Sequence, residues 1–218
     1  MADPDPIPHF SSADLHIASW ERLDHGGHSF VFKVSINDAL SVVKIFRLQP
    51  TSASPDPYLY FTRELGSHQR LVAAGLAGTH TPRIHGVLRI SPAHEALLLS
   101  EGKLPPMRRR RKVADRPLMA VWMELIPGRR LAVVDMAGEA GRALRLQVEG
   151  ALEKVHAAGV LQGDVKWRNI MVADGRAVWL DFSNAGVVEA GTAGGAAEEM
   201  EKLRWMLGRY ERVQGGIV

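Results

Sequence analysis

No cysteine occurs in the 218 residues, so disulfide frameworks, thiolate nucleophiles and Cys-ligated zinc are excluded. No apolar run approaches the roughly 18 residues that a membrane span requires. The amino terminus, MADPDPIPHF, is acidic and proline-rich and lacks the apolar centre of a secretory signal. The expectation is therefore a soluble, cytoplasmic protein with no membrane partner. The nine histidines contain no H-E-x-x-H spacing, which disfavours a histidine metal site. No internal repeat is visible. What remains is ordinary globular composition, 46% hydrophobic and 23% charged, in a length that suits one or two small domains. A net charge of +3 gives a mild basic bias, which permits nucleotides or nucleic acid as ligands.

Along the chain, residues 1–13 read as a flexible leader. Residues 15–23, 31–36 and 41–48 are β-rich, and Asn37-Asp38-Ala39 marks a turn between the last two. The loop 49–57 precedes an expected helix over 58–76, with Leu59, Leu65, Leu71 and Val72 as its apolar positions and Gly75 as its C-cap. Residues 83–90 and 95–100 read as a hairpin, and 118–128 as a strand stopped by Pro127 and Gly128. Between them, 101–117 is an excursion, because Pro105, Pro106 and Pro117 forbid a regular ladder. Its five consecutive basic residues, Arg108 to Lys112, read as a solvated loop, with RNA or tRNA binding or nuclear targeting as the functional alternative.

Downstream, Leu144, Val148, Leu152 and Val155 form one stripe of a helix that Gly159 stops. The apolar runs NIMV and AVWL, joined by Asp174-Gly175, make a hairpin. GTAGG reads as a flexible link, and 196–210 as a last helix with Met200, Leu203 and Leu207 inward. Trp20, Trp122, Trp179 and Trp205 are expected to fill cores. Trp167 is the exception, a candidate wall for an acceptor site, and His156 is expected to pack or hydrogen-bond near Asp164.

The stretch QGDVKWRNIMVADGRAVWLDFSNA carries the chemistry. Asp164, Lys166 and Asn169 precede the hairpin, and Asp181 closes it. The hairpin brings Asn169, at the start of one strand, beside Asp181, at the end of its partner. One neutral and one anionic oxygen ligand leave room for water and phosphate oxygens, which suits Mg²⁺. Asp164 remains available to orient a nucleophile.

These residues resemble the catalytic loop and metal-binding aspartate of the protein-kinase-like superfamily. SVVKIF supplies Lys44 where that family has its phosphate-holding lysine, and Glu64, twenty residues on, resembles the ion-pair partner. RELGSHQRL is closer to small-molecule and atypical kinases than to eukaryotic protein kinases. MELIPG resembles the hinge that holds adenine, with Glu124 and Ile126 as its candidates. LDHGGHSFVFKV stands where a glycine-rich loop belongs, but only Gly26 and Gly27 are glycines and Ser29 occupies the last glycine position, so the backbone turns over phosphates less freely. The resemblance implies an α+β, two-lobed fold: a five-stranded antiparallel first lobe with one helix over 14–126, and a truncated, mainly helical second lobe over 127–218. It implies ATP and Mg²⁺ as cofactors. Lys44 would bridge the α- and β-phosphates, Glu64 would hold Lys44, and Asn169 and Asp181 would hold Mg²⁺. Asp164 would take the acceptor proton, and Lys166 would neutralise the transferred phosphoryl group.

The departures are informative. QGD replaces HRD, and its GD is typical of aminoglycoside-phosphotransferase-like enzymes. DFS replaces DFG, which costs backbone freedom at Ser183. Only 37 residues follow Asp181, without an activation segment or peptide-docking helices, as in compact small kinase-like proteins. The acceptor is therefore expected to be a small molecule or an atypical protein. Two alternatives stay open. One is a kinase-fold protein turned to RNA-linked chemistry, either as a tRNA-modification accessory or in an aminoacyl-tRNA-dependent ligation such as cyclodipeptide synthesis. The other is a nucleotide-binding pseudokinase.

Overall fold

The structure is a computed structural model that describes residues 7–48, 56–105, 116–134, 136, 138–188 and 193–214. It is mixed α+β. The chain divides into two units, one holding residues up to 65 together with 84–125, the other holding 66–83 and 126 onward.

The first unit is built on a six-stranded sheet: β1 (His9–Ser11), β2 (Ile17–His25), β3 (Ser29–Ile36), β4 (Ala39–Phe46), β5 (Ile84–Arg89) and β6 (Met119–Glu124), in the order β1-β5-β6-β4-β3-β2. The hairpin between β3 and β4 is the expected one: Ile36 pairs with Ala39, and Asn37 and Asp38 both adopt positive φ, as a two-residue turn matched to strand twist requires. Alternation then sorts the side chains. Phe30, Phe32, Val34, Ile36, Val43 and Ile45 join one apolar cluster, whereas Val42 and Phe46 join a second with Phe61, Val87 and Val121. Lys44 lies between Val42 and Phe46 in the period-two pattern and so belongs to the second face.

Several expectations need correction here. The sheet has six strands rather than five, and it is mixed, because β1 pairs parallel to β5. The leader therefore does not extend to residue 13. Ile7 is buried, the Pro8 carbonyl accepts from Val87 N at 2.8 Å, and Phe10 packs over Gly86, where a Cβ would stand 2.7 Å from its ring. The hairpin expected from 95–100 is instead a helix, α2 (Pro92–Ser100). Ser91 caps it by accepting from His94 N, and Pro92 occupies its first turn, a start signal that outweighs a short apolar run.

Helix α1 (Leu59–Ala73) ends as expected. Gly75, at φ +69, donates to the Val72 carbonyl, while Leu76 N reaches back to the Leu71 carbonyl, the Schellman arrangement. Its buried positions are not the expected leucine stripe, however. They are Phe61, Glu64, Ser67, His68 and Leu71, a row in which three of five side chains are polar.

In the second unit, α3 (Gly138–Ala157) buries the expected Leu144, Val148, Leu152 and Val155. Its core partners include Ile170 and Trp179 from the hairpin β9 (Ile170–Ala173) and β10 (Arg176–Trp179). Strand β7 (Arg129–Arg130) pairs with β9. The short pair β8 (Val160–Leu161) and β11 (Gly186–Val187) flanks the loop between them. Helix α4 (Ala193–Gln214) buries Met200, Leu203 and Leu207 as expected. It begins inside the segment read as a flexible link. Gly195 is helical, and a Cβ there would stand 2.7 Å from Leu161 Cδ1, so the glycine serves close packing. Trp20 and Trp179 fill cores, but Trp205 does not: it is 60% exposed, with the Arg209 guanidinium over its ring. Among the described residues, no helix is long and apolar enough to cross a membrane.

Candidate functional site

In the first unit, Lys44 Nζ meets Glu64 Oε2 at 2.7 Å, with side-chain exposures of 5% and 1%. Strand alternation places the lysine on the face that carries Phe46 and Phe61, whose rings pack edge-to-face at 5.7 Å, and helical spacing places Glu64 one turn after Phe61. The ammonium also lies 5.2 Å from the centre of the Phe46 ring. A solvated strand lysine and a solvated helix glutamate, the plain readings of these residues, are thereby removed.

Other candidates in this unit are placed with less consequence. Gly26 and Gly27 are exposed in the turn between β2 and β3, where Gly26 N donates to the Ser29 carbonyl at 3.0 Å. A Cβ at either glycine would meet nothing within 4 Å, so local packing does not demand glycine there. Ser29 is buried at the start of β3. Glu124 ends β6 opposite Ser41. Ile126 follows in the second unit, its carbonyl accepting from Gly128 N. Arg108 to Lys112 lie outside the described residues.

In the second unit the structure gathers Asp164, Lys166, Asn169 and Asp181 around one hairpin end. Lys166 Nζ contacts Asp164 Oδ1 at 2.5 Å, and Arg168 Nη2 approaches Oδ2 at 3.4 Å. Residues Trp167–Asn169 form one 3₁₀ turn, which buries Asn169 and aims its side-chain amide back at Asp164. Asn169 Nδ2 donates to the Asp164 carbonyl at 2.8 Å and to Oδ2 at 3.3 Å. Leu180 N donates to the Asn169 carbonyl at 2.8 Å, which sets Asn169 and Asp181 at the same end of β9 and β10. Trp167 packs partly buried against the core.

With the Asn169 N–H groups committed to Asp164, its side-chain oxygen is left as an acceptor, the atom a hard cation would use. Asp181 adopts φ +59, a conformation that aspartate tolerates better than most side chains. Its Oδ1 accepts from Ser183 Oγ at 2.6 Å and from Ser183 N at 3.3 Å. The expected cost at Ser183 is thus not found. The left-handed residue is Asp181, and Ser183 orients its carboxylate. Among the described residues no group of three or more His, Asp or Glu side chains could hold a metal. Asn169 and Asp181 offer two oxygen donors of the kind that a hard cation takes.

Sequence reasoning did not single out the residues that support this loop. Gln162 is fully buried. Its Oε1 accepts from Asp164 N at 2.7 Å, and its Nε2 donates to the carbonyls of Asp181 at 2.9 Å and Leu180 at 3.2 Å. Glu199, on α4, accepts from Gly163 N at 2.6 Å, from Gln162 N at 2.9 Å and from His156 Nε2 at 2.8 Å. Burial alone would raise the Glu199 pKa, but these donors outweigh it and hold the carboxyl below its ordinary value. The visible signal was Gly163: at φ +78, a Cβ there would lie 2.0 Å from the Asn184 carbonyl oxygen, so the residue before Asp164 has to be glycine. His156 sits near Asp164 as expected, at one remove. No protein-family model matches the chain, and no curated protein matches it.

Proposed function

We propose that this protein is an ATP- and Mg²⁺-dependent phosphotransferase of protein-kinase-like, two-lobed architecture, acting on a small molecule or an atypical protein acceptor. The observation that carries this reading is the buried Lys44–Glu64 ion pair. Burying two charges is expensive, and apolar residues of similar volume would serve stability as well or better. A lysine held at fixed geometry beside an apolar wall is what a site for a polyphosphate requires.

In this reading Lys44 holds the α- and β-phosphates and Glu64 fixes the ammonium. Asn169 and Asp181 hold Mg²⁺, which when bound would neutralise charge on the phosphates. Asp164 accepts the proton of the attacking hydroxyl, and Lys166, paired to it at 2.5 Å, stands ready to exchange that carboxylate for a phosphoryl oxygen. Gly26, Gly27 and Ser29 are assigned to cover the phosphates, and Glu124 and Ile126 to contact adenine through backbone groups. Most of the rate effect would come from charge set in place beforehand.

The test is a thermal-shift titration with ATP, with and without Mg²⁺, followed by labelled-ATP turnover against an acceptor panel, with Asp164→Ala as control. Nucleotide at about 100 times its dissociation constant should add roughly 2.7 kcal/mol of stability. Turnover should fall by about 10²–10⁴-fold in Asp164→Ala. Absence of Mg–ATP binding at millimolar nucleotide refutes the proposal, and binding without turnover against the whole panel identifies a pseudokinase instead.

A further inference from the structure

The segment Gln162–Asp164 has two backbone N–H groups that no neighbouring strand satisfies, one on the buried Gln162 and one on the exposed Gly163, and a buried donor left unmet is costly. Glu199 meets both, one with each carboxylate oxygen: Gly163 N at 2.6 Å on Oε1 and Gln162 N at 2.9 Å on Oε2. Oε2 also contacts His156 Nε2 at 2.8 Å. Because the carboxylate is an acceptor only, the imidazole is the donor there. The Gln162 side chain then divides its hydrogen bonds between Asp164 N on one side and the Asp181 and Leu180 carbonyls on the other.

Slack is absent along this path. Gly163 is fitted against Asn184 at a distance that admits no side chain, and the register of α4 is fixed by Met200, Leu203 and Leu207 in the core. An apolar residue at 199 would fill space but take the acceptor from both N–H groups, leaving that of Gly163 to solvent and that of the buried Gln162 unmet. A neutral amide there would turn one donor toward another.

We propose that Glu199, held by His156, is a positioning residue that fixes the Gln162–Gly163 backbone and, through the Gln162 side chain, sets the placement of both Asp164 and Asp181. The inference rests on the reading of those two aspartates as the catalytic and metal-holding groups. It extends that reading to a residue 35 positions beyond Asp164 in sequence.

The experiment compares wild type with Glu199→Gln, His156→Gln and His156→Leu in three readouts. Without nucleotide, backbone amide exchange at Gln162, Gly163 and Asp164 should quicken by about 10-fold or more in Glu199→Gln while the α3 amides keep their protection. The thermal shift given by Mg–ATP should persist, and kcat should fall by about 10–100-fold with little change in the KM for ATP. His156→Gln, which keeps a donor, should stay near wild type, whereas His156→Leu should follow Glu199→Gln. Unchanged exchange at the three amides overturns the inference, as does quickened exchange with unchanged kcat. Quickening at Gln162 and Gly163 without Asp164 also overturns it, since it removes the glutamine relay. If wild type neither binds nor turns over Mg–ATP, the proposed function fails, and exchange still decides whether Glu199 fixes the segment. Should Glu199→Gln not fold, Glu199→Asp keeps the charge, shortens the reach and is read in the same way.

Discussion

The two units handle buried polar groups differently. The first has a buried ion pair, Lys44 with Glu64, on a strand and a helix that also carry Val42, Phe46 and Phe61. The second contains a hydrogen-bonded web in which Glu199, Gln162, Asn169 and Ser183 each meet backbone or carboxylate groups of a loop. A web of that kind has a structural reason to exist, because a loop that leaves regular secondary structure must satisfy its N–H and C=O groups somewhere. The ion pair has none, since β4 and α1 already satisfy their own backbones. Of the two, the simpler feature therefore says more about function, and the richer one says more about how a loop is held.

That contrast can be broken most directly at the pair itself. Removing one partner, as in Lys44→Met or Glu64→Leu, breaks the buried pair at 2.7 Å and should destabilise by about 3–5 kcal/mol. Replacing both at once, Lys44→Met with Glu64→Leu, should restore stability to wild type or above while abolishing the thermal response to Mg–ATP. Denaturant midpoints with and without nucleotide read both effects. A double variant as unstable as the singles would mean that the pair is structural after all.

The web should respond in graded fashion instead. Gly163→Ala forces a left-handed non-glycine residue, at about 1–3 kcal/mol, and also pushes a methyl into the Asn184 carbonyl. Thermal midpoint and turnover should fall together, because the strain sits beside Asp164. Ser183→Ala removes the hydroxyl that donates to Asp181 Oδ1 and should cost about 1 kcal/mol. Its signature is a higher Mg²⁺ requirement beside that small loss of stability. A Ser183→Ala protein with unchanged Mg²⁺ dependence would show that Ser183 N suffices to orient the carboxylate.

How much of this was legible beforehand follows the range of the interactions. The β3–β4 and β9–β10 turns, the α3 stripe and the Gly75 and Gly159 stops are local, and the sequence carried them. Lys44 and Glu64 were legible only through the resemblance of SVVKIF, and of the glutamate twenty residues on, to the protein-kinase-like pattern. The buried face of α1 was not. Ser67 and His68 lie on the face of Leu71, four and three residues before it, but a polar buried row departs from the apolar pattern by which such a face is read. Strand β1 was missed because three residues after a proline-rich start give no alternation to read, and its pairing depends on the room that Gly86 leaves for Phe10. Glu199 was invisible for the same reason of range: its partners lie 36 and 37 residues away, and nothing local distinguishes it from Glu198 or Glu201.

The smallest effect tests whether the first unit also contains a web of the structural kind. Ser12 Oγ and Ser91 Oγ both reach His94 Nδ1, at 2.9 and 3.2 Å, and Ser91 N donates to Ser12 Oγ at 2.8 Å. The cluster ties the turn after β1 to α2, beside the Trp20 ring. Burial holds the His94 pKa below its ordinary value of 6.5, so the fold favours the neutral imidazole. Its contribution is therefore fully present above about pH 6.5 and is lost as the pH falls through the lowered value, because the unfolded chain then binds the extra proton. The thermal midpoint of wild type should fall toward that of His94→Gln between pH 8 and 5, while Mg–ATP binding by the variant at pH 8 stays intact. A midpoint difference that is constant across that range would mean that His94 does not titrate with folding, and the cluster would then count with the apolar core rather than with the loop web of the second unit.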